Sequence, residues 1–466
     1  MSSMGSSRNV LRTGGQGRLD CKSRKLPAWN RLQSLQKEIR VAGEKKLTRQ
    51  ALVMKRGIPV LILRTAYFLT LLLMPAVHAS AQMRVVAVGD SHGAYPELVA
   101  ILQRVGLIGG NREWIGGSSV LVQTGDVIDR GKGSRECLDL LMDLERQAAK
   151  QNGRVIPLLG NHEVMNLMGD LRYVVAEDYQ AFSTEQSDKR REEAYRDYRN
   201  FLTSHSAHHH AAYSDDDAGR QKWMADHPPG FFERHDAFEA QGLYGRWIRS
   251  HAAVVQVGDA LFVHGGLNPA THFESVKELN ERVRSEIAGF DSLWESLCDK
   301  KTIWRYMKLE EAIRQVQEEW MWIQARGQVE DREAARQMQE LSGVQNWLIV
   351  SPDGPLWYRG LALEPEETLK RPLEAMLARL MVRYIVAGHT VRPKFDITPR
   401  FDNHVFLIDT GMLKEVYSGR GSALEFRDGS VTAYYTDGEP QVLVAPAGGA
   451  TTPASSHDEG GGKPES

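Results

Sequence analysis

Residues 84–93, RVVAVGDSHG, residues 120–131, VLVQTGDVIDRG, and residues 155–163, VIPLLGNHE, decide the fold. Each opens with a short apolar, β-branched run and closes on glycine followed by a polar residue. Apolar runs of this length, without polar alternation, are those of strands buried on both faces. They predict strands over 84–88, 120–122 and 155–159, with helical patterns between them over 95–105 and 134–150. Alternating strand and helix indicates an α/β layered fold. The arrangement recurs downstream. Run 261–263 precedes His264-Gly265-Gly266, run 384–387 precedes Gly388-His389, and run 405–408 precedes Asp409-Thr410-Gly411. Ligands of such folds bind beyond the carboxyl ends of strands, where every one of these clusters falls. Gly258-Asp259, between runs 252–257 and 260–263, is a hairpin turn signal.

Working outward, two long intervals interrupt the strands. Residues 164–251 are polar and helix-prone, with a charge run at 188–197 expected to be a solvated helix face. Residues 271–346 read as amphipathic helices carrying Trp294, Trp304, Trp320 and Trp322, whose helical spacing suits core better than a substrate groove. Both intervals are expected as helical insertions in one catalytic domain spanning 82–445. The Gly, Pro, Ser and Thr-rich segment 446–466 is expected to be a disordered tail.

The chain has 466 residues, 42% hydrophobic and 25% charged, which excludes collagen-like, disulfide-scaffold and wholly disordered classes. Its net charge of −2 is a poor guide, because the charge is segregated. Residues 1–53 hold twelve Lys/Arg against Asp20, Glu38 and Glu44, and Lys55, Arg56 and Arg64 follow without an acid. The body from residue 83 onward therefore carries −14. Met54, the charges Lys55 and Arg56, the apolar run 66–74 and Ala79-Ser80-Ala81 have the order of a signal peptide over 54–81, cleaved after Ala81. A retained membrane anchor would have to bury Arg64, at about 2.5–3.5 kcal/mol. Residues 1–53 are then expected to be a basic preface outside the true protein, with translation starting at Met54, the alternatives being an extended signal region or a disordered basic arm. They accompany no nucleic-acid-binding motif, so no nucleic-acid partner is expected. The expected location is secreted or periplasmic, with no stable membrane anchor after cleavage. Cys137 and Cys298, the cysteines left, are expected to be buried and unpaired.

The chemistry lies in Gly89-Asp90-Ser91-His92-Gly93, Gly125-Asp126-Val127-Ile128-Asp129-Arg130-Gly131 and Gly160-Asn161-His162-Glu163. Asp and His suit Mn, Fe or Zn, and a carboxylate can bridge two ions. Two ions about 3.5–4 Å apart would activate a water and stabilise both oxygens of an in-line displacement at phosphorus. An adjacent Arg would clamp phosphate oxygens, and a His oriented by an Asp would protonate the leaving oxygen. These residue types together indicate phosphoester hydrolysis. Asp90, His92, Asp126, Asn161, His264 and His389, six such residues at five strand ends, exceed what capping and turn roles require. His208-His209-His210, near Asp215-Asp216-Asp217, fits a solvated loop better than an accessory metal site. Glu163 is expected to support its loop by a salt bridge.

The GD-x-HG, GD-x-x-DRG and GNHE series resembles the PPP family of metal-dependent phosphoprotein phosphatases. Further matches are His264-Gly265-Gly266-Leu267, Tyr358-Arg359-Gly360 and Gly388-His389. GDSHGAY at 89–95, GPLWYRG at 354–360 and IDTGM at 408–412 extend the likeness to the Shewanella-like protein phosphatases. The resemblance covers roughly residues 84–435 and implies a calcineurin-like metallophosphoesterase β-sandwich flanked by helices. It implies that Asp90, His92 and Asp126 bind a first divalent metal. Asp126 would bridge to a second, completed by Asn161, His264 and His389. His162 is implied as proton donor with Asp129 as its partner, and Arg130 and Arg359 as phosphate clamps, Asn161 also reaching a phosphate oxygen. The implied cofactors are two divalent ions, manganese first, with Fe or Zn as alternatives. The implied substrate is a phosphorylated protein or peptide, with phosphotyrosine preferred.

Departures from related patterns narrow this. Val391 stands where broader metallophosphoesterases place a second His, and Asp409-Thr410-Gly411-Met412 stands near the SAPNYC-like loop of eukaryotic serine/threonine members. Symmetrical dinucleotide tetraphosphatases usually carry Ala at the place of Asp129 and read GNHD and HAG, whereas this chain has Asp129, Glu163 and Gly265. Dinucleoside polyphosphate hydrolysis is the alternative activity, and a catalytically silent metal-binding protein is the alternative of a different class.

Overall fold

Val85–Val88 (β1), Val120–Gln123 (β2) and Arg154–Pro157 (β3) pair in parallel, as the right-handed crossovers through Tyr95–Arg104 (α1) and Ser134–Ala149 (α2) require. A computed structural model describes residues 83–204, 216–327 and 331–446. The basic preface, the signal-peptide segment, His208-His209-His210 and the tail beyond residue 446 lie outside the described residues.

Alternate residues of β1 face different layers. Val85 and Ala87 join Val120, Val122, Phe262, Val386 and Phe406 between two sheets. Val86 and Val88 pack instead with Leu98, Ile101, Leu138 and Leu141 of α1 and α2. All four residues are buried, which explains the unbroken apolar run. The second sheet contains Val254–Val257 (β4), Ala260–Val263 (β5), Tyr384–Ala387 (β6), Thr398–Arg400 (β7) and Val405–Leu407 (β8), in the order β4-β5-β6-β8-β7. β5, β6 and β8 are parallel, and Gly258-Asp259 closes the β4–β5 hairpin with Val257 opposite Ala260.

The first sheet continues through three strands that the sequence reading does not place: Ser422–Arg427 (β9), Ser430–Tyr435 (β10) and Gln441–Val444 (β11). The order is β11-β10-β9-β1-β2-β3, with β9 antiparallel to β1. Asp428-Gly429 turns β9 into β10, both residues at positive φ (51° and 76°), as a two-residue hairpin of this hand demands. The result is the expected calcineurin-like sandwich, two β-sheets between helical layers.

The interval 164–251 holds Ala176–Gln180 (α4), Ser187–Ser204 (α5), Asp217–Asp226 (α6), Phe231–Phe238 (α7) and Leu243–Arg249 (α8), preceded by Asn161–Leu167 (α3). Its core is aromatic: Trp223 stacks on His227 (centroids 4.1 Å apart) and lies 6.3 Å from Trp304, which the second insertion supplies. Trp304 is buried, whereas Trp294, Trp320 and Trp322 are half-buried. The second insertion is built on Val276–Asp299 (α9), Leu309–Arg326 (α10) and Arg332–Ser342 (α11). Cys137 is buried and unpaired as expected, but Cys298 is only half-buried.

Candidate metal centre and active site

Asp90 and His92 follow β1, Asp126, Asp129 and Arg130 follow β2, and Asn161 and His162 open α3 just after β3. His264 follows β5 and His389 follows β6, so the strand ends converge their polar residues on one edge of the sandwich. His92, Asp126, Asp129, Arg130 and His389 all have φ between 47° and 71°. Non-glycine residues hold that left-handed conformation only where surrounding structure over-determines it, at about 1–3 kcal/mol each. Here it turns each loop back so that its side chains meet. Glycine makes the approach feasible: a Cβ at Gly160 would overlap the Asp126 carboxylate, and one at Gly388 the Asp90 carboxylate.

Two triads of ligand-competent groups share Asp126: His92–Asp126–His162 and Asp126–His264–His389, with ligand atoms within 4.8 Å of one another. Second partners set the imidazole tautomers. His264 Nδ1 lies 2.9 Å from the Thr124 carbonyl, and His92 Nδ1 lies 3.0 Å from that of Ile128. A carbonyl only accepts, so both Nδ1 atoms carry the proton and both Nε2 atoms present lone pairs. His264 Nε2 then faces Asn161 Oδ1 at 2.9 Å, His389 Nδ1 at 3.1 Å and Asp126 Oδ2 at 3.3 Å. Four electron-rich atoms turned toward one point are stabilised by a cation, so the donor set fits a divalent metal. On the other side of Asp126, His92 Nε2 lies 3.6 Å from Oδ2.

Titration behaviour agrees with that geometry. Burial pushes His92 down to about 3 and His389 down to about 2, keeping both rings neutral and able to ligate. Burial opposes ionisation of Asp126, but His264, His162 and His92 outweigh it and hold the carboxyl well below its ordinary range. Asp90 is pushed well up by burial and by Asp409 and Asp126, and burial also raises Asp409 to about 6. Buried carboxylates crowded in this way are relieved by positive charge. Asp90 accepts from the His389 backbone N–H at 3.0 Å and lies 4.0 Å from His264 Nδ1, so it joins the cluster without entering either triad.

His162 differs from the other imidazoles. Its Nδ1 is 2.7 Å from Asp129 Oδ2, while its Nε2 is buried, has no hydrogen-bond partner among the described residues and lies 3.9 Å from Asp126 Oδ2. Burial lowers its affinity for a proton, but Asp126 and Asp129 more than offset that and raise it above the ordinary imidazole value. Such a ring can carry a proton on the nitrogen that faces the site.

Arg130 and Arg359 flank the cluster. Arg130 Nη1 lies 3.0 Å from His92 Nε2 and bonds the Tyr417 hydroxyl, while Arg359 Nη1 donates to the His389 carbonyl at 2.8 Å. Tyr173 and Tyr417 frame Arg130, with ring centroids 4.9 and 5.6 Å from its Cζ. Tyr173 is 39% exposed, and its ring also lies 4.9 Å from that of His162.

Among the described residues Glu163 forms no salt bridge. Its carboxylate accepts the backbone N–H groups of Asp126, Gly160 and Val127 at 2.8, 2.8 and 2.9 Å, tying the β2 and β3 loops together. Sequence reasoning misses Asp409, Tyr173, Tyr417, Asn166, Asp178 and Arg234 as site residues. Of these only Asp409 had a signal, its place at a strand end. Another acidic cluster, His235, Asp236 and Glu239, is already compensated, since Arg190 binds Asp236 at 2.5 Å and Arg305 binds Glu239.

The family model described as calcineurin-like phosphoesterase matches residues 83–393. The chain is 28% identical over 332 residues to Shewanella-like protein phosphatase 1 of Plasmodium berghei, spanning 71% of this chain and 67% of that protein. It is 33% identical over 215 residues to Shewanella-like protein phosphatase 2 of Arabidopsis thaliana, spanning 44% of this chain and 52% of that protein. Among solved structures, the cold-active protein-tyrosine phosphatase of a psychrophilic Shewanella sp. aligns at TM-score 0.48 and 22% identity, covering 78% of this chain and 80% of that one.

Proposed function

The chain belongs to the calcineurin-like phosphoesterase family, and from that premise we propose that it is a dinuclear-metal phosphoprotein phosphatase that prefers phosphotyrosine. The observation that carries this reading is the single environment built around Asp126. It joins crowded lone pairs suited to cations, a His162 Nε2 without a partner, and two flanking arginines. Folding alone requires none of these.

Asp90, His92 and Asp126 would hold one divalent ion, and Asp126, Asn161, His264 and His389 the other, with manganese the first candidate. Bound there, the ions supply Lewis-acid charge neutralisation and a nucleophile at neutral pH. The chain's own residues do the rest. Arg130 and Arg359 bind non-bridging phosphate oxygens from opposite sides, and Asn161 can reach a third contact. His162 gives its Nε2 proton to the leaving oxygen, while Asp129 holds the Nδ1 proton and so fixes the ring and its tautomer.

Two observations support the protein substrate and the phosphotyrosine preference. The relatives named above are called protein phosphatases. Tyr173 and Tyr417 also offer aromatic walls beside Arg130, where a tyrosyl ring would stack once its phosphate is clamped. The protein is proposed to act outside the cytoplasm, on the strength of the signal-like segment 54–81. Peptide mass mapping of the native protein should find Gln82 as its first residue in an extracytoplasmic fraction, and recovery from the cytoplasm with Met54 or Met1 retained would refute this.

The test of function is a panel of phosphotyrosyl, phosphoseryl and phosphothreonyl peptides, with diadenosine tetraphosphate alongside, assayed with several divalent metals. Faster turnover of phosphotyrosyl peptides supports the proposal. Preference for diadenosine tetraphosphate would replace it with dinucleotide hydrolysis, and two bound metals without turnover of any phosphoester would leave a silent binding protein.

A further inference from the structure

Arg234 sits on α7, in the first helical insertion, yet it is 2% exposed and lies behind the candidate proton donor. Its Nη2 donates to Asn166 Oδ1 at 2.7 Å and to Asp178 Oδ2 at 3.2 Å, and lies 3.8 Å from Asp129 Oδ1. Phe238 covers the guanidinium, its ring centroid 4.4 Å from Cζ. A buried guanidinium stays charged and needs counter-charge, which Asp178 and Asp129 supply.

The consequence runs through Asn166. Arg234 can only donate, so the Asn166 oxygen must face it and the Asn166 amide nitrogen must face the other way. That nitrogen donates to Asp129 Oδ2 at 2.9 Å, to Asp129 Oδ1 at 3.1 Å and to the His162 carbonyl at 2.9 Å. Asp129 in turn grips His162 Nδ1. Without the guanidinium, Asn166 Oδ1 would lose its donor and Asp129 the cation beside Oδ1, so that Asn166, Asp129 and His162 would be held only by their bonds to one another. The amide and the carboxylate could then shift together, and the His162 ring with them. Buried ionic groups of this kind contribute little net stability but specify one arrangement among several.

We propose that Arg234 is a positioning residue for the proton donor, acting on His162 through Asn166 and Asp129. On this account the 164–251 insertion is part of the catalytic apparatus rather than only a cover. The inference rests on the phosphomonoesterase reading above and deepens it.

A residue that serves only proton donation matters in proportion to how badly the leaving group needs the proton. With the metal-loaded full chain, kcat is to be measured on p-nitrophenyl phosphate, whose leaving group departs unaided, and on a phosphotyrosyl peptide, whose far more basic phenoxide does not. Arg234→Ala is expected to lower kcat about threefold or less on the aryl ester and about 30–100-fold on the peptide, part of the 10²–10⁴ that general acid catalysis supplies. Bound metal should stay at the wild-type level. Arg234→Lys, which keeps the charge but not the planar fork, should fall between. In a His162→Ala background, Arg234→Ala should cost nothing further on the peptide, because the group it serves is gone.

Equal losses on both substrates, or an additive loss in the His162→Ala background, would overturn the inference and leave Arg234 a structural residue. If Arg234→Ala does not fold, the same cycle is run with Arg234→Lys and the same outcomes decide. If the wild-type protein hydrolyses neither substrate with any divalent metal, the underlying phosphatase reading fails instead.

Discussion

Replacing Glu163 with glutamine separates what ties the loops from what holds the cations. The carboxylate accepts three backbone N–H bonds, from Gly160 and Asp126 at Oε2 and from Val127 at Oε1. A glutamine amide offers one acceptor oxygen. In its better orientation it keeps the two bonds of Oε2 as neutral ones and turns its NH₂ toward the Val127 N–H. Three charged bonds at about 1.5 kcal/mol each, the low end for their kind, against two neutral ones at about 1 put the cost at no less than about 3 kcal/mol. Against this stands the charge itself. Burial and the Asp126 carboxylate push Glu163 up to about 7, from 4.5 for a free side chain. The folded chain therefore holds this proton more tightly than the unfolded one. Its contribution to stability is lost as pH rises from 4.5 to 7, and about 3 kcal/mol is gone above that.

In metal-free protein at pH 7.5 the amide removes the charge penalty, which is already net of the charge-assisted bonds, so Glu163→Gln should leave the unfolding free energy unchanged or raise it, by at most about 3 kcal/mol. With cations beside Asp126 the charge penalty disappears from the wild type, and the full cost of about 3 kcal/mol returns. Thermodynamic linkage converts that difference into metal affinity, at least about 100-fold weaker in the variant. Urea unfolding with and without a chelator, and chelator-competition titration of manganese, measure both sides of the cycle. If metal-free Glu163→Gln is already destabilised by about 3 kcal/mol and its metal affinity stays within about threefold of wild type, the carboxylate only ties the loops.

His162→Ala should retain its metals and lose about 10²–10⁴ in kcat on phosphopeptides, less on p-nitrophenyl phosphate; full activity on a phosphopeptide would remove His162 from the proton-donor role. Gly388→Ala pushes a methyl into the Asp90 carboxylate. Metal analysis should find bound metal lost, with stability down by about 1–3 kcal/mol, and a wild-type metal content would show that the Asp90 loop can give way. Burial holds His227, stacked on Trp223, down at about 4. A folded value below the unfolded 6.5 means stability present above pH 6.5 and lost as pH falls toward 4, about 3 kcal/mol in all. His227→Phe should flatten that part of the acid-unfolding curve, and an unchanged slope would show that His227 does not control it.

Much of this was legible in the chain because it is locally encoded. An apolar run ending in Gly-Asp or Gly-Asn announces both a buried strand and the loop that leaves it. For that reason Asp90, His92, Asp126 and Asn161 are legible in the chain, and His264 and His389 are legible likewise from runs that end in His-Gly and Gly-His. The hairpin at Gly258-Asp259 was equally readable, and Asp428-Gly429 offered the same signal for β9 and β10. Those strands went unplaced because Ser422–Arg427 and Ser430–Tyr435 mix polar residues into their runs, and only pairing with β1 makes them interior. Glu163 shows the other kind of gap. A carboxylate after His suggests an ion pair, but its partners are backbone N–H groups, which every residue carries and no side-chain pattern reveals.

The sequence by itself determined the α/β layers and, through its motifs, the candidate ligands, clamps and proton donor, since each motif consists of residues adjacent along the chain. Only the tertiary structure decided how they act together. It turned four electron-rich atoms toward one point at His264 Nε2, left His162 Nε2 without a partner, and set Tyr173 and Tyr417 beside Arg130. It also carried Arg234 across 68 residues of chain to Asn166. In the sequence Arg234 is one cation in the charged run FFERHD. Burial makes it a fixed donor: cut off from water, its Nη2 binds the acceptors that the fold places beside it, Asn166 and Asp178, although Nε finds none among the described residues.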